Sequence, residues 1–237
     1  MTDYVAGRLQ EALDQVLAAT GQRPFLLGYC MGGLLTLALA QQRTRDLAAL
    51  VLLATPWDFH AAPGQAAFGR SALLTWSPLM DLLGELPVDI LQALFATRDP
   101  LMAIRKFRRF GAMNPDSEPA RRFVALEDWL NDGVALPAPV ARECLGGWYA
   151  DNSTLRGRWR IAGRVVQPDE VRLPVRCVIP AADRIVPPAS AEALAARLPQ
   201  ASLQRPPLGH IGMMVSRRAR RQVWAPLARW FLEQEER

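Results

Sequence analysis

The segment Gly28-Tyr29-Cys30-Met31-Gly32-Gly33 constrains this chain more than any other. It follows the apolar run Pro24-Phe25-Leu26-Leu27 and precedes Leu34 to Gln42, a stretch of good helix formers. A short apolar run closed by glycine reads as a buried strand, so these residues sit at a tight strand–turn–helix junction. Side chains flanking such a turn have no room, and Gly28 and Gly32, two residues either side of Cys30, let the strand fold back sharply into the helix. Cys30 is then held at the tip with its sulfur exposed. Unpaired N–H groups at the helix start favour its thiolate form, and the Met31 backbone N–H becomes one oxyanion donor. The alternative is a buried cysteine acting only as a small hydrophobe, and the two glycines weigh against it. Cys144 and Cys177 lack this context and read as packing residues.

The neighbouring segments fix the fold class. Val5, Leu9, Leu13, Val16 and Leu17 recur at helical spacing over residues 3–19, with Thr2 or Asp3 as N-cap and Gly21 as the stop. Residues 47–55 form a second continuous apolar strand closed by Pro56, as expected for a parallel sheet covered on both faces. From Trp57 to about Val166 strand signals vanish, and tryptophans (Trp76, Trp129, Trp148, Trp159), prolines and short helical segments take over. Val175 to Pro180 is strand-like, Ala189 to Leu198 helical and Ala201 to Arg205 a further short strand, while Val223, Leu227, Trp230 and Phe231 mark the stripe of a closing helix. The order is that of an α/β fold. Its core is expected over residues 1–56 and 167–237, with an inserted helical cap over 57–166.

Composition excludes several classes. Half of the 237 residues are apolar and 22% are charged, which is globular and not disordered composition. The apolar stretch Leu47 to Ala54 falls well short of the roughly 20 residues that span a bilayer. No basic-then-apolar leader follows Met1-Thr2-Asp3, and three sparse cysteines make neither a disulfide framework nor a metal site, so a cytoplasmic location is expected. The net charge of +5 comes almost wholly from scattered arginines, Lys106 being the one lysine. The dense group Arg217, Arg218, Arg220 and Arg221 reads as a solvated helix start, or else as a patch for phosphate groups; no nucleic-acid motif accompanies it.

A cysteine nucleophile needs a base, and the chain has two histidines. His210, in Leu208-Gly209-His210-Ile211-Gly212, follows the last expected strand, whereas His60 falls at the opening of the cap and reads as packing or surface. Asp183 follows the Val175 strand and supplies the carboxylate; its alternatives are a helix cap or an ion pair with Arg184. Cys30, Asp183 and His210 therefore run nucleophile, acid, base along the chain. Thiolate attack on an oxygen ester is uphill, whereas attack on a thioester exchanges one thioester for another at nearly equal energy. A cysteine here favours an acyl thioester, such as an acyl-CoA, as donor. A large aromatic cap would exclude water and favour transfer to a hydroxyl over hydrolysis.

These motifs, together with Ala54-Thr55-Pro56-Trp57-Asp58-Phe59, Asp183-Arg184-Ile185-Val186-Pro187-Pro188, Trp148-Tyr149-Ala150-Asp151-Asn152 and a hairpin between Gly157 and Gly163, resemble polyhydroxyalkanoate synthases over nearly the whole chain. The resemblance implies an α/β-hydrolase-like, mostly parallel sheet. It implies polymerisation of 3-hydroxyacyl-CoA with release of CoA on a Cys30, Asp183, His210 triad. It also implies no cofactor beyond the CoA thioester substrate, and a homodimer or second synthase subunit at a cytoplasmic polyester granule. Two features depart from the pattern: Arg184 stands where the family usually has histidine, and the strands expected before the nucleophile strand are missing, so the sheet is expected to be N-terminally truncated. The missing part is expected to supply the second oxyanion donor, whose loss costs about 10²–10³ in rate, and a fragment, a mis-started product and a partner-completed fold all fit. The rivals are a dienelactone-hydrolase-like enzyme, which the cap argues against, an acyl-CoA thioesterase, and an inactive granule-binding homologue using Ala72 to Leu86 as a surface.

Overall fold

The computed structural model describes residues 1–97 and 101–235. It divides into two compact units, one formed by Met1–Ala72 and Glu143–Arg237, the other by Leu73–Arg142.

The first unit is built on four parallel strands in the order β1 (Phe25–Tyr29), β2 (Ala49–Leu53), β3 (Val175–Val178) and β4 (Ala201–Gln204). Leu27 pairs with Val51, Leu52 with Cys177 and Val178 with Gln204. All five β2 residues are buried, the signature of a strand covered on both faces. On one face Ala49, Val51 and Leu53 join Val178, Leu208, Met213, Val223, Leu227 and Trp230 in a single core. Alternation turns Leu50 and Leu52 to the other face, and the helix α2 (Met31–Gln42) packs on β1 and β2 with Leu34, Leu37 and Leu39 buried.

The expected N-terminal helix is π-helical over Asp3–Leu9 and continues as α1 (Gln10–Thr20), ending at Gly21 in the left-handed conformation. Thr2 makes no side-chain cap; its hydroxyl accepts the Ala162 N–H instead, at 3.1 Å. Among the described residues β1 has a single strand neighbour, and Leu27 on it is 39% exposed. Among the described residues the strand feeding the Cys30 turn is therefore an edge of the sheet.

The unit boundary falls inside the insert expected at 57–166. Residues 57–72 and 143–166 belong to the sheet-bearing unit because a hydrogen-bond lattice stitches them together. Trp57 N–H donates to Ser190 Oγ (3.1 Å), Phe59 N–H to Asn152 Oδ1 (3.0 Å) and Asn152 Nδ2 to Asp58 Oδ1 (2.8 Å). Asn152 takes a positive φ of 51°, which asparagine tolerates better than most residues. Trp148 and Trp159 pack edge-to-face, both buried, and Trp159 Nε1 donates to Glu143 Oε1. The hairpin pairs Arg160–Ile161 with Arg164–Val165 around Ala162 and Gly163, both at positive φ as a two-residue primed turn requires.

The second unit is helical. It holds most of α3 (Gln65–Leu83), α4 (Val88–Ala96), α5 (Met102–Gly111) and α6 (Glu118–Asn131). Ser117 caps α6 by accepting the Ala120 N–H, and Phe123 of α6 stacks on Phe110 of α5 at 4.5 Å. No described helix is long and apolar enough to cross a membrane.

Candidate active site

Cys30 sits between β1 and α2 with φ 53° and ψ −124°, a conformation that costs a residue bearing a Cβ on the order of 1–3 kcal/mol. Neighbouring backbone holds it there: Cys30 N–H donates to Leu53 O (2.8 Å), and Gly33 N–H donates to Cys30 O (3.0 Å). The turn is crowded on two sides. A Cβ on Gly28 would fall 2.1 Å from Thr36 Oγ1 and 2.6 Å from Gly33 Cα; one on Gly33 would fall 1.8 Å from Thr55 Oγ1. At Gly32, the glycine singled out by spacing, a Cβ would meet nothing within 4 Å, so the steric demand lies one residue later. Met31 opens α2, and its N–H has no acceptor within the helix, as the first helical N–H groups never do.

The other two predicted residues arrive from the carboxyl ends of later strands. Asp183 lies on the loop after β3, and His210 lies between β4 and the short helix Gly212–Val215. Both are buried, and His210 Nδ1 stands 2.7 Å from Asp183 Oδ2. The other carboxylate oxygen, Oδ1, accepts the N–H groups of Ile185 (2.8 Å) and Val186 (2.9 Å), which fix its plane. Ala182 N–H donates to Leu208 O at 3.0 Å and ties the two loops together. The Cys30 side chain lies close enough to the His210 ring to act on it electrostatically; with Nδ1 turned to Asp183, Nε2 is the atom left for the sulfur. Burial pushes the His210 pKa down, but the hydrogen bond to Asp183, the nearby Cys30 side chain and the negative charges of both outweigh it and raise the value to about 9.

The structure thus brings Cys30, His210 and Asp183 together, with Met31 next to the sulfur-bearing residue. His60 is not among them: its Nε2 donates to Tyr149 O at 2.9 Å, within the lattice that holds 57–60 to 148–154. Cys144 and Cys177 are buried, and burial pushes both thiols up to about 12. Sequence reasoning missed Tyr29. Its ring lies 4.8 Å from the His210 ring and its hydroxyl donates to His210 O at 3.3 Å. An aromatic residue at a strand end reads as core, and only its place beside Cys30 hinted at more.

A thiol, an imidazole and an N–H donor gathered at the carboxyl edge of a parallel sheet suit acyl transfer. The chain is 28% identical over 246 residues to the poly(3-hydroxyalkanoate) polymerase subunit PhaC of Synechocystis sp., covering 99% of this chain and 65% of that protein. It spans 49% of the length of the corresponding subunit of Haloferax mediterranei. It is also 31% identical to the pimeloyl-[acyl-carrier protein] methyl ester esterase of Aromatoleum aromaticum, over 81% of this chain and 68% of that one. In fold it resembles the monoacylglycerol lipase of Paleococcus ferrophilus (TM-score 0.53, 14% identity, 95% of this chain and 75% of that one). The model of the alpha/beta hydrolase fold matches residues 2–216. The chain therefore belongs to the α/β-hydrolase fold family.

Proposed function

We propose that this chain carries the acyl-transfer centre of a polyhydroxyalkanoate synthase-like enzyme, with a 3-hydroxyacyl-CoA as donor and Cys30 as nucleophile. The observation that supports the reading is the His210–Asp183 hydrogen bond with Cys30 beside the imidazole, in a protein similar to PhaC subunits. His210 Nε2 takes the Cys30 thiol proton, and the sulfur attacks the thioester carbonyl. The Met31 N–H faces the developing oxyanion. As the tetrahedral adduct collapses, CoA leaves with the proton from His210, and the acyl group remains as a Cys30 thioester. Next, a hydroxyl of a second hydroxyacyl group gives its proton to His210 and attacks that thioester. The new ester forms, and Cys30 departs and recovers the proton. Asp183 orients the imidazole and balances its charge throughout. Assembly as a homodimer or with a second subunit, and attachment to a polyester granule, belong to the same proposal.

The esterase relative favours one second reading, in which water takes the acyl group. Radiolabelled 3-hydroxybutyryl-CoA separates the two. The synthase reading expects CoA release matched by chloroform-soluble polyester and lost in Cys30→Ala. CoA release matched by free acid would assign a thioesterase, and release that persists in Cys30→Ala would overturn both.

A further inference from the structure

We infer that Tyr29 is a positioning residue for His210, clamping both its main chain and its imidazole plane so that Nε2 meets the Cys30 sulfur. This rests on the Cys30–His210–Asp183 reading above. Tyr29 closes β1 and directly precedes Cys30, so its backbone moves with the nucleophile. Two separate contacts reach one distant residue: the phenol O–H donates to His210 O at 3.3 Å, and the rings lie 4.8 Å apart at a tilt of 34°. The loop bearing His210 is joined to the Asp183 loop by the Ala182–Leu208 hydrogen bond, and Tyr29 supplies the matching main-chain tie toward the nucleophile strand. Without it, the distance between sulfur and imidazole depends on loop packing.

The phenol suits this task. Burial first, then the negative charges of Cys30 and Asp183, push its pKa above the ordinary range, so it remains a neutral donor wherever the neighbouring thiolate forms. A small displacement of a positioned catalytic group costs up to about 10²-fold.

The test is alkylation of Cys30 by iodoacetamide between pH 5 and 10, with the Cys30 peptide quantified by mass spectrometry; it requires no acyl-CoA and no turnover. Tyr29→Phe removes only the O–H, Tyr29→Leu removes the ring as well, and His210→Ala marks complete loss of the imidazole. Tyr29→Phe is expected to slow alkylation at pH 7 about 3- to 10-fold. Tyr29→Leu is expected to move the whole pH profile to that of His210→Ala. If only Tyr29→Leu changes, the ring alone positions the imidazole and the main-chain clamp is overturned; if Tyr29→Leu does not fold, Tyr29→Phe decides the main-chain clamp. Wild-type rates and profile in both tyrosine variants, with loss in His210→Ala, would reduce Tyr29 to packing and leave the proposed function intact. A wild-type profile in His210→Ala would overturn the triad reading, and the Tyr29 inference with it.

Discussion

Asp183 divides its carboxylate between chemistry and architecture: Oδ2 stands 2.7 Å from His210 Nδ1, while Oδ1 is taken by two backbone N–H groups of its own loop. Asp183→Asn keeps an oxygen for the backbone but loses the charge that orients and balances the imidazole. We expect acyl transfer to fall about 10²–10⁴-fold with little change in the urea midpoint. Asp183→Ala also strands the Ile185 and Val186 N–H groups, at about 1–3 kcal/mol each if they stay buried, so its urea midpoint should drop as well. Equal urea midpoints for the two variants would refute this division of labour.

His210 gives the folded state a pH dependence of definite sign. Its value in the native state, about 9, lies above the ordinary 6.5, so the native protein holds this proton more tightly than the unfolded chain does. The stabilisation is complete below about pH 6.5 and fades as pH climbs through about 9, amounting to at most about 3 kcal/mol. Urea unfolding of wild type and His210→Gln from pH 6 to 9.5 should show the difference between them shrinking with rising pH. A difference that grows would contradict the assignment.

Two adjacent glycines should respond in opposite directions. Gly33→Ala drives a methyl group against buried Thr55, at a cost of about 1–3 kcal/mol, and should slow Cys30 chemistry by shifting the turn. Gly32→Ala finds open space within α2 and should be neutral, or stabilising by up to about 1 kcal/mol through helix propensity. Thr55 Oγ1 has no hydrogen-bond partner among the described residues, so Thr55→Val should be tolerated. Thermal denaturation of the three variants checks the ranking.

The open side of β1 should make this chain sticky. Leu27→Lys places a charge on an edge strand, where charges discourage strand addition by other chains. Light scattering at increasing protein concentration should show less self-association, with the melting temperature lowered only slightly. Unchanged scattering would mean that this edge takes no part in association.

The turn at Cys30 was legible because glycine spacing, an apolar run and a helix-forming run all demand the same backbone reversal. Asp183 and His210 were legible for a related reason: each is the one carboxylate or imidazole just after an expected strand, and parallel strands bring such loops to one edge. The division of the chain was harder to read. Trp148 and Trp159 stand among cap-like residues, yet their partners, Glu143 and each other, pack with the sheet-bearing unit, and no local pattern reports that. Gly33 outranks Gly32 for a tertiary reason, since Thr55 comes from the end of another strand. Tyr29 escaped notice because its contact with His210 bridges residues far apart in the chain.

Cys30, Asp183 and His210 all belong to the unit formed by Met1–Ala72 and Glu143–Arg237, and the helical segment Leu73–Arg142 contributes none of them. The grouped side chains and the helical segment can therefore diverge independently. A lineage could vary that segment between its two crossing points and still inherit the three grouped side chains unchanged.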